Sequence, residues 1–180
     1  DICLEDIATS LANQCRYNGA VNFHYSVAQH SVSLAHIVPY FLAQRGRFSQ
    51  ARFEEEYRDC AATALMHDST ETYIQDFIKP IKSRMSMGGI NIAKVEDRIE
   101  RCIFSKFGLD RDWLVDVKEF DARITTNEKR ALLPFHKPEQ EVYEAIPDFY
   151  VTKWTPEFAK QKFLITARQL EIDGDDLVNH

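Results

Sequence analysis

His67 and Asp68 stand side by side at the end of an apolar run, Ala61-Ala62-Thr63-Ala64-Leu65-Met66. Imidazole and carboxylate both bind metals, but two adjacent residues hold one ion only if further ligands arrive from elsewhere in the chain. Two candidates are well placed: His30 upstream, in YSVAQHS, and Asp121 downstream, in VKEFDARI. Together they make a set of two nitrogens and two oxygens. Such a set suits manganese, iron, cobalt, nickel or zinc better than calcium. On a metal that prefers six ligands it leaves positions open for water and a phosphate oxygen. Taken singly, His30 has the ordinary explanation of a hydrogen-bonded core histidine, and Asp121 that of a surface or capping carboxylate. The combination on helical segments is what points to a metal.

Glu71 follows four residues after His67 and three after Asp68. If helical geometry continues past the pair, Glu71 shares their face, within reach of an attacking water, where a general base or water-orienting carboxylate belongs. Asp76, a turn or so further on, is a second such candidate; a solvated helix end is the ordinary alternative for both. Arg16, Lys79 and Lys82 are the basic candidates for phosphate. An arginine holds phosphate oxygens bidentately and a lysine acts as a point charge. Lys79, Lys82 and Arg84 all follow closely on the His-Asp pair and would suit a triphosphate tail, although surface lysine is the competing explanation, more so for Lys79. Tyr17 and Phe23 either stack on a base or pin their loop to the core. His24, His36 and His136 have no partner pattern and read as structural. The chain has no P-loop, no GxGxxG and no GxSxG, and GGIN lacks the strand and lysine of a phosphate cradle.

These residues need helices to bring them together. Leu4, Ile7, Ala8, Leu11 and Ala12 recur at helical spacing, predicting a helix over about 4–14. CRYNGAVNFHYS reads as a loop. Ser26-Val27-Ala28-Gln29 is a capping box that starts the helix carrying His30, with Val27, Val32, Leu34, Ala35, Val38 and Leu42 on a broad apolar stripe and Gly46 in the exit turn. A third helix runs from about Gln50 to Met66, delivering His67 and Asp68 from its buried end, and Thr70 to Tyr73 can add a turn. Pro80 breaks regularity and MSMGGIN reads as a flexible loop. Asn91 caps the next helix, with Ile92, Val95, Ile99, Ile103, Phe104 and Phe107 on its apolar face and Gly108 at its end. Asp110 opens a helix to about Leu132 bearing Leu114, Val117, Phe120, Asp121 and Ile124. Four prolines between Pro134 and Pro156 predict loop with short pieces. Thr155-Pro156-Glu157 starts a last helix to about Ile172, and the tail 173–180 reads as frayed. The expectation is an all-α single domain over 1–180, a bundle of about six or more helices.

The totals agree with such a domain. The chain has 180 residues, 44% hydrophobic and 28% charged, enough to bury a core without disulfides. A net charge of −6 argues against a nucleic-acid surface, so the positive field for an anionic substrate must be local. The four cysteines form no CxxC pair and read as reduced, buried thiols of a cytosolic protein. No apolar run suits a membrane span.

DIATSLANQCRYNGAVNFHYSVAQHS, ALMHDSTETYIQDFIKPIK and KEFDARITTNEKRALL, taken in that order, resemble the small HD-domain phosphohydrolases of bacteria and phages. The similarity runs from about Ile7 to Leu133. Two branches stand closest, the phage dATP triphosphohydrolases and the bacterial 5′-deoxynucleotidases. The resemblance implies an HD-domain helical bundle in which His30, His67, Asp68 and Asp121 bind the catalytic divalent transition metal (Co, Mn, Zn, Fe or Ni), with or without additional Mg. It implies that Glu71 and Asp76 assist the water and the phosphate site, that Arg16 contacts substrate, and that Lys82 lies on the phosphate side. The nucleotidases carry tryptophan where this chain has Tyr17, which bears on the base or sugar contact. A deoxynucleotide substrate, a homo-oligomer (dimer or larger ring) and the cytoplasm of a bacterial or phage-infected cell are implied as well. The favoured reaction is dATP to deoxyadenosine and triphosphate. The alternative within the class is a monophosphate nucleotidase, and that of another class is a non-catalytic nucleotide-binding protein.

Overall fold

A computed structural model describes residues 2–75, 86–87 and 89–172. The fold is all-α, as the periodicity predicts. Its helices are α1 (Leu4–Asn13), α2 (Val27–Gln44), α3 (Phe53–Met66), α4 (Glu71–Ile74), α5 (Ile92–Lys106), α6 (Leu114–Leu132) and α7 (Pro156–Gln169). Short 3₁₀ turns occupy Gln50–Arg52, Arg111–Trp113 and Pro138–Gln140, and Arg16–Gly19 is a turn in which Tyr17, Asn18 and Gly19 are left-handed. The described part of MSMGGIN is not a plain loop: β1 (Ser86–Met87) pairs antiparallel with β2 (Ile90–Asn91). Its Gly-Gly is a two-residue hairpin signal, and Gly89 takes φ 79°, the left-handed backbone such a turn requires. The break expected at Pro80 and the frayed tail at 173–180 lie outside the described residues.

Three helices start at a side-chain cap. Ser26 accepts from the Gln29 N–H at 3.1 Å, Asn91 from that of Ala93 at 2.8 Å, and Thr155 from that of Phe158 at 3.2 Å. The capping box at Ser26 is only half made. The Gln29 side chain donates instead to the Thr152 carbonyl at 2.7 Å, tying the long 134–156 segment to α2. The helix end at Gly108 falls where the sequence puts it, and the last one does not. After α5, Gly108 is left-handed and Leu109 N–H closes on the Phe104 carbonyl at 2.9 Å. The exit of α7 uses the same closure, with Ile172 N–H on the Ala167 carbonyl at 2.9 Å, but the left-handed position is Glu171 (φ 57°). With no glycine there to signal the stop, the helix ends at Gln169, short of the expected Ile172.

Two apolar cores flank a common pair of helices. One joins α1, α5 and α7 to Val27, Ala28, Val32 and Ala35 of α2 and to Ala62, Leu65 and Met66 of α3. The other joins Val117, Phe120 and Ile124 of α6 to Leu34, Val38 and Leu42 of α2 and to Cys60 and Ala64 of α3. α2 and α3 are thus buried on two sides, which is why the stripe on α2 is broad and why the end of α3 is built of small residues. Pro39 lies within α2, which continues through it despite the missing N–H. Of the cysteines only Cys60 is fully buried; Cys3 and Cys15 are half-buried and Cys102 is exposed, and all four are free thiols. Burial pushes the Cys60 thiol up to about 12.

α6 also anchors the proline-rich segment. Asn127 donates from Nδ2 to the Ile146 and Phe149 carbonyls at 2.9 and 3.3 Å and accepts the Ile146 N–H at 2.7 Å. Asn127→Ala should strand these backbone groups and cost about 1–3 kcal/mol. Urea unfolding checks this: an unchanged midpoint would mean that the segment is held by its apolar contacts alone.

Candidate functional site

His30 lies one turn into α2, where both flanking cores exclude water, and it is fully buried. Its Nδ1 is 2.6 Å from Glu128 Oε1. A carboxylate only accepts, so Nδ1 carries a proton, and Nε2 is the nitrogen left to exchange its own proton for a metal. Nε2 points at Asp121 Oδ1 (3.2 Å) and Asp68 Oδ2 (3.8 Å). His67 follows the last residue of α3, and its Nδ1–H donates to the Ala64 carbonyl at 2.8 Å. Its Nε2 is likewise turned inward, 3.1 Å from Asp68 Oδ2. The two imidazoles lie 5.3 Å apart between centroids. Both Nε2 atoms are buried, and neither makes a hydrogen bond.

One ligand atom each from His30, His67 and Asp121 lie within 4.8 Å of one another, a group that could hold a metal ion. Asp68 stands beside both imidazoles. The donors fit a borderline transition metal: two imidazoles whose Nδ1 atoms are committed as donors, leaving Nε2 to bind, and carboxylates kept ionised. Burial raises the Asp68 carboxyl, but His67 and His30 outweigh it and hold it at about 2. Burial also raises Asp121, yet His30, Arg16 and His67 hold it far below the usual carboxylate range. Burial and Arg16 push His30 down, while Glu128 and Asp121 more than offset them and raise it to about 9. Carboxylates that favour a proton on Nε2 to that extent favour any cation there.

The turn after α3 sets Glu71. Ser69, Glu71, Thr72 and Tyr73 donate their N–H groups to the carbonyls of Met66, Asp68, Ser69 and Thr70, each three residues back. The first residue of α4, Glu71, thus follows Asp68 by a single three-residue turn. It is buried, and the Gln14 side chain donates to its carbonyl at 3.0 Å.

Arg16 comes from the loop between α1 and α2. That loop is pinned by Arg16 N–H on the Tyr25 carbonyl (2.9 Å), Val27 N–H on that of Gln14 (3.0 Å) and Asn22 N–H on that of Leu132 (2.9 Å). Arg16 Nε donates to Glu128 Oε2 at 3.1 Å, and Nη1 approaches Asp68 Oδ2 at 3.5 Å. Nη2 lies 3.5 Å from Thr125 Oγ1 and 3.9 Å from Asp121 Oδ1. Tyr17 is not free to act as a loose stacking wall. Its hydroxyl donates to Glu128 Oε2 at 3.1 Å, and both Tyr17 and Asn18 are left-handed, at φ 57° and 50°. Burial and Glu128 raise the Tyr17 phenol well above its ordinary range, so it stays a donor. Phe23 is half-buried in the same loop.

The structure therefore brings together His30, His67, Asp68, Asp121, Arg16 and Tyr17, with Glu71 adjoining. Asp76, Lys79, Lys82 and Arg84 lie outside the described residues. His24 and His136 have structural partners, the Ala12 carbonyl at 3.3 Å and Glu141 at 2.7 Å. Glu128 was not anticipated from sequence. It is fully buried and is touched by His30, Arg16 and Tyr17. Its signal was present: it follows Asp121 by two helical turns, on the same face of α6.

No protein-family model matches the chain. It is 34% identical over 132 residues to the uncharacterized protein YfdR of Escherichia coli (strain K12), covering 73% of this chain and 62% of that protein. It is 32% identical over 113 residues to an uncharacterized protein of Rhodobacter capsulatus, covering 61% of this chain and 50% of that protein. The matched regions thus span between half and two thirds of the length of these relatives. No helix among the described residues is long and apolar enough to cross a membrane.

Proposed function

We propose that this chain is an HD-domain metal-dependent phosphohydrolase acting on deoxynucleotides, with dATP, cleaved to deoxyadenosine and triphosphate, as the favoured substrate. One observation carries the reading: two buried imidazole Nε2 atoms, without hydrogen bonds, face the carboxylates of Asp68 and Asp121. His30, His67, Asp68 and Asp121 would hold the metal. When bound there, a transition metal supplies Lewis acidity toward water and a phosphoryl oxygen.

The chain's own groups do the rest. Glu71, buried one turn after Asp68, orients the attacking water and takes its proton. Arg16 turns its Nη1 and Nη2 toward Asp68 and Asp121, where a phosphoryl group at the site would sit, and neutralises charge developing on its oxygens. A cavity of about 340 Å³ opens beside Thr125 and extends along α6, lined in part by Lys129, Phe135, Lys137 and Tyr143. Glu141, the carboxylate on its wall, is already engaged by Arg130 and His136. The cavity thus offers cations and exposed aromatic rings beside Thr125, which suits a nucleotide.

Incubation of the metal-loaded protein with dATP and dAMP separately tests the substrate. Inorganic triphosphate from dATP is the expected product. Rapid orthophosphate from dAMP with dATP left intact would transfer the assignment to a 5′-deoxynucleotidase. Failure to hydrolyse any nucleotide across a panel of divalent metals would remove the enzymatic reading.

A further inference from the structure

We propose that Glu128 is a positioning residue that sets the metal ligand His30 and the substrate-side cation Arg16 together, so that one carboxylate ties the metal centre to the loop between α1 and α2. The proposal rests on the metal-centre reading above. A fully buried, ionised carboxylate is costly unless its oxygens are engaged, and both oxygens of Glu128 are. Oε1 takes the His30 Nδ1–H at 2.6 Å, and Oε2 takes Arg16 Nε at 3.1 Å and the Tyr17 hydroxyl at 3.1 Å.

Each bond has a directional consequence. The first commits Nδ1 as a donor, leaves Nε2 as the nitrogen that would bind metal, and aims it at Asp121. The second grips Arg16 by Nε alone, so that the two terminal nitrogens of the guanidinium fork are turned toward Asp68, Thr125 and Asp121. The third holds a loop whose residues Tyr17 and Asn18 occupy the left-handed region that non-glycine residues avoid. The backbone bonds pin the loop, and the Glu128 carboxylate inside α6 adds the grip that sets how the Arg16 fork is turned. A carboxylate that only filled space or paired charge would affect folding, but neither the tautomer of His30 nor the split between metal and substrate affinity.

The first test uses the unaltered chain loaded with Zn²⁺. Nitrogen-15 NMR of the imidazoles should show His30 coordinating through Nε2 with Nδ1 protonated; coordination through Nδ1 would overturn the proposal while leaving the metal centre intact. The second uses variants whose folding is followed by circular dichroism. Glu128→Gln should weaken Zn²⁺ binding roughly 10–100-fold, the usual effect of losing a partner behind a histidine ligand, and Glu128→Asp should restore part of it. Tyr17→Phe should leave Zn²⁺ affinity within about twofold of the parent, because it leaves the His30 bond intact, while raising KM for dATP more than it lowers kcat. A folded Glu128→Gln protein with parental Zn²⁺ affinity would overturn the proposal, and if that variant does not fold, the tautomer measurement decides. A parent chain that takes up no Zn²⁺ would instead sink the metal-centre reading, and this proposal with it.

Discussion

Asp121→Ala should yield a folded protein without a tightly held transition metal, whereas the parent chain should hold about one ion. Asp121 projects from the middle of α6, two helical turns before Glu128, and its Oδ1 lies 3.2 Å from His30 Nε2. Its removal deletes one of the three atoms that converge within 4.8 Å and strips negative charge from a site that contains the Arg16 guanidinium. The remaining imidazoles are neutral ligands and do not replace that charge. Phosphohydrolase activity should fall by at least about 10³-fold, since the Lewis acid contributes several kcal/mol to the barrier. Asp68→Ala is expected to act in the same direction. Elemental analysis gives the answer directly: a folded Asp121→Ala protein with parental metal content would sink the ligand assignment.

Glu71→Gln should do the opposite to the metal and nearly the same to the rate. The backbone N–H of Glu71 bonds the Asp68 carbonyl, and Glu71 is buried at the start of a one-turn helix. Glutamine keeps the size and removes the charge that orients or deprotonates water. We expect kcat to drop roughly 10²–10⁴-fold, the scale of general acid–base catalysis, with metal content unchanged. A variant with near-parental kcat would assign that step to another group. Lost metal would mean that Glu71 is itself a ligand.

Much of this arrangement was legible in the sequence because helices announce themselves by period. The apolar stripes on α1, α2 and α6 were readable, and so were the caps at Ser26, Asn91 and Thr155, since a hydroxyl or amide before an apolar run has a direct local role. The pairing of His67 with Asp68 at the end of an alanine-rich helix was readable for the same reason. What escaped depends on tertiary surroundings. Glu128 looks like any solvated glutamate of a helix until its partners are known; only its two-turn offset from Asp121 placed it on the inward face. Tyr17 looked available for stacking because its left-handed backbone and its bond to Glu128 follow from the pinned loop and not from local propensity. The end of α7 was missed because Glu171 stands where a glycine would have marked the stop.

The candidate ligands come from three separate places: α2, the turn that follows α3, and α6. An ion gripping all of them is a clip across the molecule, and the unfolded chain offers no comparable grip. Heat resistance then becomes a function of free metal concentration, rising by RT ln(1 + [M]/Kd), about 4 kcal/mol at a thousandfold excess over Kd. The melting temperature should climb as Zn²⁺ is added and drop on chelation, and it should do so in the Glu71→Gln protein as well, where turnover has been removed but the clip has not. A thermal melt would report occupancy without any substrate, and the order in which manganese, cobalt, nickel and zinc raise the curve would rank the affinities of the site.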